Sequence, residues 1–223
     1  MKETRNEPAD SGRVILELIA YTREHHQRAD NLTADELLKK IDSAKVNWIN
    51  LDGMGDRSIV EKLQAHFGFD ALTLEDIIND QRPKAEEYED YLFFTLKMLY
   101  RIKGDTIDYE QISFVLGTNY LISFQEKEGD LFDPFRERIR LDQGKVRKKK
   151  ADYLMYRLID IIVDNYYIVL DTIGSQIDEI EDSIYTDSAE EAFSKIQGIK
   201  KELIFLRKAV YPLREALSKV IKG

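Results

Sequence analysis

The sequence predicts an α+β fold: an α/β/α layered domain with a mixed sheet, followed by long antiparallel helices. Three observations lead there. Short β-rich runs alternate with amphipathic helical patterns up to about Gly144, strand signals then vanish, and two long helical repeats fill the remainder. Interleaved strands and helices give a sheet covered by helices. Long helical periodicity instead asks for a partner helix or an oligomer. The organisation is therefore an α/β/α domain over 1–144 and a long-helix region over 145–223.

The elements follow in order. RVILELIAYT (13–22) is a strand, rich in β-formers and bounded by polar residues. LTADELLKKID (32–42) is a helix with Thr33 as N-cap and Glu36 at the capping-box spacing. KVNWINLDG (45–53) is a strand ending in an Asp52-Gly53 turn, and DRSIVEKLQAHF (56–67) a helix stopped by Gly68. ALTLEDIIND (71–80) is a short helix ended before Pro83. YLFFTLKMLYRI (91–102), TIDYEQISFVLGT (106–118) and NYLISFQEK (119–127) form a meander, with turns at Lys103-Gly104-Asp105 and Gly117-Thr118-Asn119. FDPFRERIRL (132–141) is a helix with Pro134 in its first turn, where proline is tolerated.

Two long helices complete the chain. The first, 150–186, has an apolar side made by Leu154, Leu158, Ile162, Val169, Ile173, Ile177, Ile180 and Ile184. At about 100° per residue, Asp160, Asp164, Asp171, Asp178 and Asp182 fall within roughly 40° of one another on the opposite side. The second, 188–221, places Ile199, Leu203, Leu206, Val210, Leu213, Leu217 and Val220 at alternating steps of four and three, a coiled-coil seam. An acidic helix followed by a basic one favours antiparallel pairing through a turn near Thr186 to Ser188, and Pro212 should kink the second helix. Exposed arms of an oligomer satisfy the same periodicity.

Composition excludes several classes. A chain of 223 residues with 43% apolar and 34% charged residues is globular rather than disordered. Without cysteine there is no disulfide framework, thiolate metal site or cysteine nucleophile. The amino terminus, MKETRNEPADSGR, lacks the apolar core of a secretory signal. No run reaches the roughly 18 apolar residues of a membrane helix. The nearest approach, 154–170, is broken by Arg157, Asp160 and Asp164, so the chain reads as water-soluble. A net charge of −9 argues against nucleic acid as the partner. The basic cluster of Lys145 and Arg147 to Lys150 reads as a neutraliser of the acidic segment behind it.

Nothing looks catalytic. His25 and His26 are adjacent and share no face, His66 is isolated, and no nucleophile elbow, H-E-x-x-H or phosphate loop is present. The candidate chemistry lies in carboxylates. Glu75 and Asp76 sit on the short helix, and Asp80, four positions beyond Asp76, is able to share its face. Hard divalent cations take such oxygen ligands, magnesium often using only one or two carboxylates. A solvated helix face explains the same acids, and the spacing does not choose between the two.

Four strings are more specific. LEDIINDQRPKAEEYEDYLFFTLKM (74–98), FQEKEGDLFDPFRERIR (124–140), KKKADYLMYRLIDIIVDNYYIVLD (148–171) and LRKAVYPLREALS (206–218) together resemble the cytoplasmic part of CorA-type magnesium (Mg2+/Co2+) transporters, in that family's order from about Val46 onward. The resemblance implies an α/β/α domain and long funnel helices on the cytoplasmic face of the cell membrane, assembled as a homo-pentamer. It implies a chain that ends before the pore helix, a regulatory Mg2+ or Co2+ rather than a catalytic cofactor, and no enzyme activity. By position, Glu75, Asp76 and Asp160 match family cation ligands, and Asp80 falls beside a further one where this chain is one residue shorter. A ligand contributed by the neighbouring pore helix is missing, so the set is half a site. The stripe of Asp164, Asp171, Asp178 and Asp182 fits the same acidic theme, and a solvated face fits it equally well. A zinc-efflux relative of the same superfamily is the alternative within this fold. A metal-dependent hydrolase built on the same acids lacks a nearby histidine and a nucleophile motif, and a helical scaffold explains only the seam.

Overall fold

The computed structural model describes residues 14–101, 107–183 and 188–222. The turn expected at 103–105 and most of the one expected at 186–188 lie outside these residues. Seven strands form one mixed sheet: β1 (Ile15–Tyr21), β2 (His26–Ala29), β3 (Val46–Asp52), β4 (Lys84–Glu87), β5 (Leu92–Arg101), β6 (Ile107–Leu116) and β7 (Tyr120–Gln125). Their spatial order is β2-β1-β3-β7-β6-β5-β4, and β3 with β7 is the parallel pair. The expected meander is β5, β6 and β7, each antiparallel to the next.

β2 and β4 were not expected. HQRA and KAEE carry no apolar alternation and stand at the two edges of the sheet. Charged residues suit an edge, because they discourage pairing with another chain's strand. For that same reason they give no period-two signal.

The sheet is covered on both faces. On one side Leu16, Leu18, Ile49, Leu51, Phe93, Val115 and Phe124 pack under α1 (Ala34–Lys40), α2 (Arg57–Phe67) and α3 (Ala71–Ile78). On the other, Trp48, Phe94, Leu96, Met98 and Phe114 pack under α4 (Asp133–Arg140), α5 (Ala151–Ser183) and α6 (Ala189–Lys222). The alternation of Phe93 and Phe94 between the two clusters is the strand period at work. One hydrophobic cluster runs from the sheet into both long helices, across the boundary drawn at Gly144.

Local chemistry sets the shorter helices. Thr33 and Glu36 close both halves of the capping box. Asp56 caps α2, and Gly68, at φ 72°, ends it by donating its N–H to Gln64 O at 2.8 Å. Gly117 turns β6 into β7 where a Cβ would run into the Tyr120 ring. One member of the basic cluster also has a structural task. Arg147 donates from Nε to Ile139 O at 2.6 Å and from Nη2 to Arg140 O at 2.8 Å, closing the carbonyl end of α4.

α5 lies across β3, β5, β6 and β7, and α6 lies across β4 and β5 beside it. They run antiparallel: Lys195 Nζ reaches Ser183 Oγ at 3.5 Å, while farther along α6 Lys219 Nζ reaches Ala85 O at 2.9 Å. The predicted apolar side of α5 is buried through Ile173, beyond which Ile177 is 43% exposed. The predicted seam of α6 needs correction. Leu206 and Leu213 are buried, but Leu203, Val210 and Val220 are 43%, 43% and 37% exposed. Their inward places go to Glu202, Ala209 and Ala216. Alanines let a helix backbone come close to a strand surface, whereas a leucine seam presupposes a facing helix. α6 stays helical on both sides of Pro212.

This packing separates two leucines three positions apart. In urea unfolding of the chain, Leu206→Ala is expected to cost about 2–5 kcal/mol and Leu203→Ala under about 1 kcal/mol. Equal costs would contradict the observed face of α6.

Candidate functional site

α3 begins at Asp70, whose side chain accepts from Leu72 N at 2.7 Å and whose N–H donates to Tyr91 Oη at 2.9 Å. Leu74 and Ile77 hold the helix to the sheet and turn Glu75 and Asp76 toward its outer side. Glu75 is exposed, whereas the Asp76 side chain is 15% exposed. Asp80 does not share their helix. α3 ends at Ile78, Asn79 takes an extended backbone, and Asp80 lies in the loop beyond. Asn79 bends the chain away by donating both its N–H and its Nδ2 to Glu75 O at 2.9 Å.

A buried glutamine fixes this exit. The outer face of the β5–β6 pair turns polar below α3, with Lys97 directly opposite Gln111. Gln111 donates from Nε2 to Asp76 O at 2.7 Å and Asn79 O at 3.2 Å, and accepts from Gln81 N at 2.6 Å. Sequence reasoning missed it, because a glutamine at a strand's alternate position reads as facing water. It is 2% exposed.

Two lysines meet the two aspartates. Lys84 Nζ, from the edge strand β4, lies 2.5 Å from Asp76 Oδ2 and 3.1 Å from Glu86 Oε1. Lys97 Nζ, from β5, pairs with Asp80 and contacts Gln111 Oε1 at 3.4 Å. Burial works against the charge of Lys84, but its bonds to Asp76 and Glu86 outweigh that and hold its pKa above the ordinary value.

Asp160 is elsewhere. It lies on α5, in the opposite helical layer, half-exposed and 3.5 Å from Arg157 Nη1. Asp164, Asp171, Asp178 and Asp182 follow it along α5 and are all exposed. The structure thus brings Glu75 and Asp76 together and keeps Asp160 and the stripe away from them, with the sheet between. The oxygen chemistry of Glu75 and Asp76 suits a hard cation, yet among the described residues no three Asp, Glu, His or Cys converge as a metal cage.

A second acidic cluster went unforeseen. At the carboxyl ends of β3 and β7, a cleft of about 330 Å³ is lined by Glu17, Asp52, Asp130, Asp133, Arg28 and Arg136. Arg136 grips Asp130 with two nitrogens at 2.5 and 2.6 Å, Glu17 at 2.9 Å and Asp133 at 3.0 Å. Burial pushes the Glu17 carboxyl up to about 7, against the pull of Arg136 and Arg28. Burial, aided by the Asp130 charge, pushes Asp52 up to about 6. Each of these acids already binds a cation or an amide, so the cluster ties α4 to the sheet.

The comparisons with known proteins agree with one another. Residues 43–223 match the family described as CorA-like Mg2+ transporter protein. The chain is 39% identical to the cobalt/magnesium transport protein CorA of Thermotoga maritima, over 93% of this chain and 60% of that protein. It superposes on the soluble domain of CorA from Methanocaldococcus jannaschii with a TM-score of 0.71 at 18% identity, covering 90% of this chain and 77% of that one. The ZntB cytoplasmic domain from Vibrio parahaemolyticus gives a TM-score of 0.71 at 15% identity, covering 93% and 80%. These two superpositions speak for the fold alone. The chain spans 60% and 63% of the length of two of the curated relatives it matches, and no helix among the described residues is long and apolar enough to cross a membrane.

Two measurements check this geometry. Gln111→Leu removes the bonds to Asp76 O, Asn79 O and Gln81 N at the α3 exit and is expected to cost about 1–3 kcal/mol in urea unfolding. The Glu17 carboxyl titrates higher in the folded chain than in the unfolded one, so the folded chain holds the extra proton and loses stability as pH rises through about 7. Glu17→Gln, which mimics the protonated form, should therefore gain on the wild type by about 1–3 kcal/mol between pH 5 and pH 8. A pH-independent difference would show that Glu17 is not the group responsible.

Proposed function

The chain belongs to the family of CorA-like Mg2+ transporter proteins, and from that membership we propose that it is the divalent-cation-sensing regulatory domain of a magnesium and cobalt transporter. In this reading it lies on the cytoplasmic side of the membrane and works in a homo-pentamer whose pore is built from other segments. Mg2+ is the regulatory ion and Co2+ an alternative to it.

One observation supports the reading most. Glu75 and Asp76 stand on α3 in one helical layer and Asp160 on α5 in the other, so a cation using both sets must lie between two copies. Carboxylates brought together at such a boundary repel, and a divalent ion between them stabilises the arrangement in which they are close. Loss of the ion restores the repulsion and shifts the population toward arrangements that separate them. The aspartates of the α5 stripe add to the negative field along that boundary. An ion bound this way orders copies against one another without any catalytic step.

A zinc-efflux role rests on fold likeness at 15% identity, whereas the magnesium and cobalt reading rests on a relative 39% identical. The magnesium reading is therefore preferred.

The test uses the protein encoded by the complete gene. Mg2+ is expected to raise its melting temperature and slow its proteolysis, since a ligand of the native state stabilises by about 2.7 kcal/mol at one hundred times its Kd. Asp76→Ala and Asp160→Ala should each remove most of that protection. Protection unchanged in both variants would place the ion elsewhere.

A further inference from the structure

We infer that Lys84 is a tethered competitor for the Asp76 carboxylate, an internal cation that a divalent ion must displace and that raises the ion concentration the site requires. The inference rests on the reading of Asp76 as a metal ligand. Lys84 Nζ sits 2.5 Å from Asp76 Oδ2, on side chains 24% and 15% exposed. It also has a destination. Glu86 Oε1 is already 3.1 Å away and keeps the ammonium paired after Asp76 is given up. Release thus gives up one ion pair and keeps another that is already formed, so the ammonium is never left without a carboxylate.

Asp80 is bound in a different way. Its partner, Lys97, has a side chain 9% exposed against 63% for Asp80, and lies on the outer face of β5 with the Tyr109 ring 5.4 Å away and Gln111 Oε1 at 3.4 Å. Drawing Asp80 toward a metal would strip the buried Lys97 ammonium of its carboxylate partner, and leaving a buried charge unpaired is costly. The two aspartates, equal candidates by spacing, are therefore unequal by environment. The lysine on Asp76 has a second carboxylate beside it, whereas the lysine on Asp80 has Asp80 as its ion-pair partner.

A functional consequence follows for a sensor. With Lys84 in place the α3 carboxylate is neutralised in the metal-free state, which lowers its apparent affinity and blunts the repulsion between copies. Metal binding then has two products, an occupied Asp76 and a lysine shifted onto Glu86.

The test measures the Mg2+ concentration giving half-maximal protection from heat and from limited proteolysis, in the complete protein. Lys84→Met, and independently Lys84→Gln, should lower that concentration about threefold to tenfold, roughly the worth of one partly exposed ion pair. Lys84→Arg keeps the cation and should leave it at or above the wild-type value. Arg82→Met removes an exposed charge two positions away on the same segment, and should change it less than about twofold, because exposed charges are well screened. Equal gains from Arg82→Met and Lys84→Met, or no gain from either neutral Lys84 variant, overturn the inference. If Asp76→Ala still abolishes protection in that case, the metal site stands and only the competitor falls. Protection insensitive to Asp76→Ala overturns both.

Discussion

A seven-stranded sheet that is apolar on both faces has to be covered on both, and this one constraint fixes where every candidate residue lies. Strand periodicity sends Phe93 to one side and Phe94 to the other, and each side then recruits its own helices. α3 goes to one layer and α5 to the other. No adjustment of loops brings Asp76 to Asp160 within a single copy, because the sheet stands between them. Under the proposed reading, a cation that used both would have to be shared between copies as a consequence of two-sided burial.

The polar patch beneath α3 is one place where that constraint is relaxed. Here Thr95, Lys97, Gln111 and Ser113 sit 7% exposed or less. Buried polar groups are tolerated only when bonded, and these are bonded to one another, to the carbonyls of α3 and to Asp80. The network holds the end of the helix at one angle and so presents Glu75 and Asp76 in a fixed way. It also assigns Lys97 to Asp80 and leaves Lys84, on the edge strand, to Asp76. Rigidity and exchangeability lie a few residues apart because one lysine is buried and the other is not.

Much of the fold was legible because its signals are local. The capping box at Thr33, the stop at Gly68, the meander turn at Gly117 and the long periodicity of α5 each announce themselves within a few residues. The edge strands β2 and β4 were not legible, since a charged edge carries no alternation. The inward face of α6 was misread because leucine spacing assumes a helical partner, whereas a sheet surface selected Ala209 and Ala216. Among the candidate residues, Glu75 and Asp76 stand out as neighbouring acids on a short helix, whereas Asp160 was singled out as a candidate ligand through an extended matched string. Asp80 was placed on the helix because spacing does not show that Asn79 turns the chain. Lys84, Gln111 and the Arg136 cluster were invisible, as their partners are distant in sequence or sit on unrecognised strands.

The central claim is that one cation is held by α3 of one copy and α5 of another, and a mixing experiment tests it most directly. Copies carrying Asp76→Ala and copies carrying Asp160→Ala are assembled alone and together, and Mg2+-dependent resistance to proteolysis is followed in each assembly. Shared sites predict that each variant alone is unprotected, while the mixture regains part of the protection, because some boundaries pair an intact Asp76 with an intact Asp160. A mixture as unprotected as either variant alone would contradict a site shared between copies.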